Sequence, residues 1–136
     1  MESVADAINA NTVRLAQWLE KHPAVKRVHW AYSEKSAANY SKIARGPNRP
    51  GSLFTIELKG PVGAFYDRLR CAKGPSFGTT FTIVCPFAYL ADYDLVTNAA
   101  GRAELLARGL DPELMRIAVG AEPFEEIRAV FEEAFA

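Results

Sequence analysis

Residues 52–60 read "SLFTIELKG", where Phe54, Ile56 and Leu58 alternate with Thr55 and Glu57. A period of two is the signature of a strand with one apolar face, and that face has to be covered by something. Helical spacing supplies the cover. Val4, Ile8, Leu15 and Leu19, with Trp18 beside the last, predict a long helix from Ser3 to Lys21 that Pro23 ends. Pro61 opens a second helix whose apolar stripe is Val62, Phe65, Tyr66 and Leu69. The closing segment "PFEEIRAVFEEAFA" sets Phe124, Ile127, Phe131 and Phe135 along one side of a third.

Three further segments complete a sheet. "AVKRVHW" puts Val28 and Trp30 on one face, and Phe81, Ile83 and Cys85 alternate with Thr80, Thr82 and Val84 up to Pro86. "ELMRIAV" places Met115, Ile117 and Val119 opposite Leu114, Arg116 and Ala118. Between them, residues 31–51 shift to Ser, Asn and Lys and end in "RGPNRPG", a loop with one or two helical turns around 37–44. Residues 87–98 read as either loop or helix, and "AAGRAELLARG" as a short helix capped by Gly109. The expected fold is α+β: a two-layer sandwich in which a mainly antiparallel four-stranded sheet is covered by helices on one face, with a long N-terminal helix. A chain of 136 residues is expected to form a single domain over residues 1–136.

Charge narrows the partners. Sixteen basic residues balance 16 acidic ones, so neither nucleic acid nor an anionic membrane is an expected partner. Cys71 and Cys85 have no zinc or redox spacing and read as reduced, partly buried thiols. The N-terminal segment lacks an apolar core followed by a cleavage pattern, so a cytoplasmic location is expected. No set of Cys, His, Asp and Glu has metal spacing.

Two residues stand out as candidates for chemistry. Ser76 sits in the corner "KGPSFGTT", where three readings compete. It is a turn in which Pro75 and Gly78 supply the dihedrals and Ser76 bonds nearby backbone, a nucleophile without a histidine close in sequence, or one part of a site completed elsewhere. Arg116 interrupts an apolar strand. It reads either as an edge-strand arginine reaching water or a surface acid such as Glu122, or as a planar fork for a carboxylate.

The ordered set "NANTVRLAQWLEKHPAVKRVHW", "GSLFTIELKG", "GPSFGTTFTIVCPFAYLADYD" and "LMRIAVGAE", followed by an acidic amphipathic helix, resembles the C-terminal domain of the Cys/Met-metabolism pyridoxal-phosphate enzymes. That family includes cystathionine γ-synthases, cystathionine lyases and methionine γ-lyases. The resemblance implies a small α/β unit packed on a larger cofactor-binding domain. It implies that Ser76 and Arg116 bind the carboxylate of an amino-acid substrate, with Pro75 at a selectivity position. Phe77 stands where many relatives carry leucine, and Asp92 stands near the place of a histidine.

Missing from the sequence are the family's Schiff-base lysine segment, phosphate-binding loop and pyridinium-pairing acid. No residue here is therefore assigned to catalysis or to cofactor binding. The resulting expectation is the small subunit of a split, hetero-oligomeric enzyme. Pyridoxal 5′-phosphate would sit on a separate large-domain chain, and the chemistry would be β- or γ-elimination or γ-replacement on a sulfur or homoserine-derived amino acid. The alternative is a non-catalytic binding or regulatory module derived from that domain.

Overall fold

In the computed structural model, which describes residues 3–136, Ser3 caps the first helix, α1 (Val4–Glu20). Its hydroxyl accepts from the Asp6 N–H at 3.1 Å while the Asp6 carboxylate accepts from the Ser3 N–H at 3.2 Å, so two otherwise unpaired donors are satisfied reciprocally. The strands are β1 (Val25–His29), β2 (Leu53–Leu58), β3 (Ala72–Lys73), β4 (Ile83–Cys85) and β5 (Leu114–Ala118), in the order β1-β2-β5-β4-β3. One face of this sheet presents Val28, Phe54, Ile56, Leu58, Val84, Met115 and Ile117 to a core. The core is closed by Leu15 and Leu19 of α1, Val62 and Phe65 of α3 (Val62–Arg68), and Phe124, Ile127 and Phe131 of α7 (Phe124–Phe135). Each such side chain, fully removed from water, contributes roughly 1.5–3 kcal/mol, which makes this face the main source of stability.

The sheet is mainly antiparallel, as expected, but it has five strands rather than four and one parallel pairing. The additional strand, β3, pairs parallel with β4 through Ala72↔Ile83 and Lys73↔Val84. A two-residue strand has no period to read, so hydrophobic alternation could not reveal it. Because β3 and β4 are both short, residues 74–82 suffice to return the chain to the same end of the sheet. The Gly74 N–H donates to the Val84 carbonyl at 3.0 Å, fixing that loop at its start. The strand after the corner is also shorter than the alternation suggested. It begins at Ile83, and its register, Val84↔Ile117 and Cys85↔Arg116, turns Val84 into the core and Cys85 to the opposite face.

Residues 37–40 form the brief helix α2 (Ala37–Tyr40). The ambiguous stretch resolves into α4 (Phe87–Ala91) and α5 (Tyr93–Val96), followed by α6 (Ala99–Ala107), which Asn98 caps by accepting from the Gly101 N–H at 2.7 Å. These helices gather around a small second core of Ala88, Val96 and Leu105. Gly109 ends α6 with a φ of 80°, as its position suggested. Glu113 joins this satellite to the rest of the protein. Its carboxylate pairs with Arg102 of α6 and accepts the Val62 N–H at the start of α3 at 2.6 Å. Pro61, at the cap position of α3, offers no side-chain acceptor, so the cap comes from a residue far along the chain.

At the far end of α1 the His22 ring stacks on Phe135 with centroids 4.0 Å apart and lies 5.2 Å from Trp18. Burial pushes its pKa below the usual 6.5, and nearby Glu132 opposes the shift. The unfolded chain therefore binds a proton more readily than the folded one. Stability from this group is complete above pH 6.5 and falls as pH drops from there toward the depressed folded value. Urea midpoints at pH 5 and pH 7.5 should differ less in His22→Phe than in the parent, and an unchanged difference would rule the histidine out as a source of the slope.

Candidate functional site

Arg116 occupies the middle of the sheet. It faces Thr55 of β2 on one side and Cys85 of β4 on the other, so it is not an edge-strand arginine. Leu114, Arg116 and Ala118 form the face of β5 turned away from the main core, while Met115 and Ile117 are fully buried on the other, which is how a strand period of two delivers a cation to the opposite face of a central strand. No carboxylate among the described residues lies within ion-pair distance of its guanidinium. Glu122, the acid that stood as its surface partner, is occupied elsewhere. It accepts from the Thr82 N–H and, at 2.9 Å, from the Thr82 hydroxyl.

The serine corner comes to Arg116. The guanidinium donates from Nη2 to the carbonyl of Pro75, the residue before Ser76. The rings of Phe77 and Phe87 lie with centroids 5.5 and 5.2 Å from its central carbon, within cation–π range. Pro75, Ser76, Phe77 and Phe87 are all exposed. Gly78 has the positive φ, 73°, that the turn reading required. The Ser76 hydroxyl, however, makes no hydrogen bond among the described residues, so it is not the group that ties this turn together. That task falls to backbone and threonine groups. The Thr79 hydroxyl donates to the Phe81 carbonyl at 2.6 Å, and the Ala121 N–H donates to the Thr80 carbonyl at 2.8 Å.

Sequence reasoning singled out Pro75, Ser76 and Arg116, and the fold brings the corner that carries Pro75 and Ser76 to Arg116. It missed the two aromatic neighbours. Phe77 was visible only as a departure from leucine, and Phe87 opens a stretch whose secondary structure the pattern left undecided.

Pro75, Ser76 and Arg116 line neither of two hollows in the structure. The larger hollow, about 920 Å³, is lined elsewhere, by Arg27, His29, Trp30, Tyr40 and their neighbours. A smaller one of about 330 Å³ lies behind the corner between Cys71, Phe81, Glu122 and Phe131. Burial pushes the Cys71 thiol up to about 11 and raises Cys85 as well, with Arg116 opposing the shift at Cys85. At pH 8 the thiolate fraction of Cys71 is then on the order of a thousandth. Labelling with a thiol reagent should be slow in the folded protein and become fast in denaturant; fast labelling of Cys71 in native buffer would contradict its burial.

A charged fork that has one carbonyl partner, two aromatic neighbours and an exposed hydroxyl nearby can receive a planar anion, most directly a carboxylate. Comparison with known proteins agrees on where such a domain occurs. The sequence model of the family described as Cys/Met metabolism PLP-dependent enzyme matches residues 4–136. An L-2-amino-4-chloropent-4-enoate dechlorinase/desaturase from Streptantibioticus cattleyicolor is 46% identical over 94% of this chain, which spans 26% of that protein. A cystathionine gamma-synthase from Neurospora crassa is 37% identical over 95% of the chain, spanning 20% of that protein. Among solved structures, the cystathionine gamma-lyase of Lactobacillus plantarum complexed with L-serine superposes with a TM-score of 0.78 at 21% identity, over 96% of this chain and 34% of that one. The chain therefore spans between a fifth and a third of the length of these proteins, and the structural likeness establishes the fold.

Such enzymes depend on pyridoxal phosphate, which needs an anchoring lysine and a cradle for its phosphate. The residues here do not fit that group. Lys73, the lysine nearest the corner in sequence, is engaged over the Tyr66 ring, 4.6 Å from its centroid. The side-chain donors that the strand and the corner offer are one guanidinium, Arg116, and one exposed hydroxyl, Ser76. That is too little to enclose a cofactor but enough to hold one end of an amino acid. No helix among the described residues is long and apolar enough to cross a membrane.

Proposed function

This chain belongs to the Cys/Met metabolism family of PLP-dependent enzymes, and from that membership we propose that it supplies the substrate-carboxylate wall of an active site whose cofactor is held by a separate large-domain chain in the cytoplasm. Arg116 forms the fork, Ser76 donates its free hydroxyl to the same carboxylate, and Pro75, whose carbonyl holds the guanidinium, sets the position of both. The observation that carries this reading is the central-strand arginine with no carboxylate of its own, held by the carbonyl of Pro75 in the corner whose next residue, Ser76, has an unbonded hydroxyl. A buried or half-buried guanidinium is ordinarily paired, and one left open toward solvent has a place for an anion.

The relatives' names support a reaction class. A dechlorinase/desaturase and a cystathionine gamma-synthase support elimination or replacement at the side chain of an amino acid carrying a leaving group. In such chemistry the carboxylate is a handle. Binding it fixes the substrate's orientation, and with it the bonds presented to the cofactor. The residues of this chain hold and orient, and the bond-breaking groups lie on the partner.

Co-expression with a large-domain chain encoded in the same genome tests the arrangement. A hetero-oligomer that co-elutes on size exclusion and carries cofactor absorbance responsive to an amino acid is the expected result. Absence of any complex, with the large domain fully active alone, would overturn it.

A further inference from the structure

We propose that Phe77 and Phe87 are positioning residues for Arg116, their rings holding the guanidinium fork in the orientation that receives a carboxylate. This rests on the carboxylate reading above and adds how the fork is kept in place. Arg116 projects from the middle of β5 on a long flexible stem, and a side chain of this kind loses considerable rotamer freedom on binding. A single bond to the Pro75 carbonyl fixes one nitrogen and leaves rotation about it. Two aromatic contacts restrict that freedom before substrate arrives, because the ring quadrupoles attract the cation.

The core of this chain does not explain where these rings lie. Phe77 is 62% exposed and Phe87 39%, so neither contributes much to the core. They come from different elements, Phe77 from the serine corner and Phe87 from the first turn of α4, and converge on one cation. Beside the fork they also lower its hydration, so an ion pair formed there is worth more than one in bulk water. The anion end of the substrate is therefore met by a cation that is already oriented and partly dry.

Two measurements separate this from a merely structural role. In the 136-residue chain alone, the Nε–H resonance of Arg116 should be displaced by ring currents, and Phe77→Leu and Phe87→Leu should each move it toward the position of a free arginine. In the assembled enzyme each variant should raise KM by about threefold, and the pair by about tenfold, with kcat unchanged. Phe77→Tyr and Phe87→Tyr, which keep the ring, should restore both signals. If Arg116→Ala raises KM while the double leucine variant leaves both KM and the Arg116 resonance unmoved, the aromatic hold is wrong and the carboxylate reading survives. If the leucine variants move the resonance but Arg116→Ala leaves KM unchanged, the carboxylate reading fails and this inference falls with it.

Discussion

Arg116→Ala is expected to raise KM for the amino acid in the assembled enzyme by about 10- to 100-fold while leaving kcat within a few-fold, the magnitude of losing hydrogen bonds to a charged group. The sign pattern follows from where the interaction acts. A carboxylate distant from the reacting bond keeps the same contact in ground and transition states, so its loss weakens binding more than chemistry. Stability should change little, because Arg116 forms no ion pair among the described residues and its strand neighbours Met115 and Ile117 carry the core contacts. A thermal melt within a few degrees of the parent separates loss of binding from loss of fold. Arg116→Lys should fall between the two, since an ammonium keeps the charge but cannot present a planar fork. An alanine variant with unchanged KM would remove the carboxylate role and favour a non-catalytic binding or regulatory module.

Much of this arrangement could be read from residues alone, and the parts that could not share a cause. Phe54, Ile56 and Leu58, or Met115 and Ile117, announce their face by a period of two, and the structure buries all of them. Ser3, Gly109 and the phenylalanines of α7 mark helix ends and stripes by local chemistry. What failed to show was anything decided by contacts remote in sequence. Strand β3 is too short for a pattern, so the sheet gained a parallel member. Glu113 caps α3 from 51 residues away, a partnership with no spacing rule. Arg116 could be flagged as unusual, but whether its strand lay at the edge or the centre depended on pairing with β4, which pattern does not specify. The same holds for the site. Ser76 and Arg116 stood out as residues and the family resemblance joined them in one role, whereas Phe77 and Phe87 emerge only when the corner and α4 bring both rings to Arg116.

The corner's position rests on a residue whose importance is purely spatial. Gly120 follows β5, and a Cβ there would collide with the backbone of Phe81 and with the Glu122 carboxylate. The glycine N–H donates to the Thr82 hydroxyl at 3.1 Å, and its carbonyl accepts from the Asn11 side chain at 3.0 Å. That Thr82 hydroxyl in turn reaches Glu122, so four residues close on one point. Gly120→Ala would have to push the 80–82 segment away, since backbone cannot rotate aside as a flexible side chain can, and would break these bonds where Thr82 is 4% exposed. The expected cost is about 3 kcal/mol, lowering Tm by roughly 10 °C. Gly63→Ala is the control. Its added Cβ meets nothing within 4 Å, and it lies in α3, so the helix should gain about 0.5–1 kcal/mol. Because the displaced segment leads back to Pro75 and Ser76, the Gly120 variant should also raise KM at temperatures where it remains folded. A melting point within two degrees of the parent would mean that the corner yields at no cost, and that its place beside Arg116 is not fixed by Gly120.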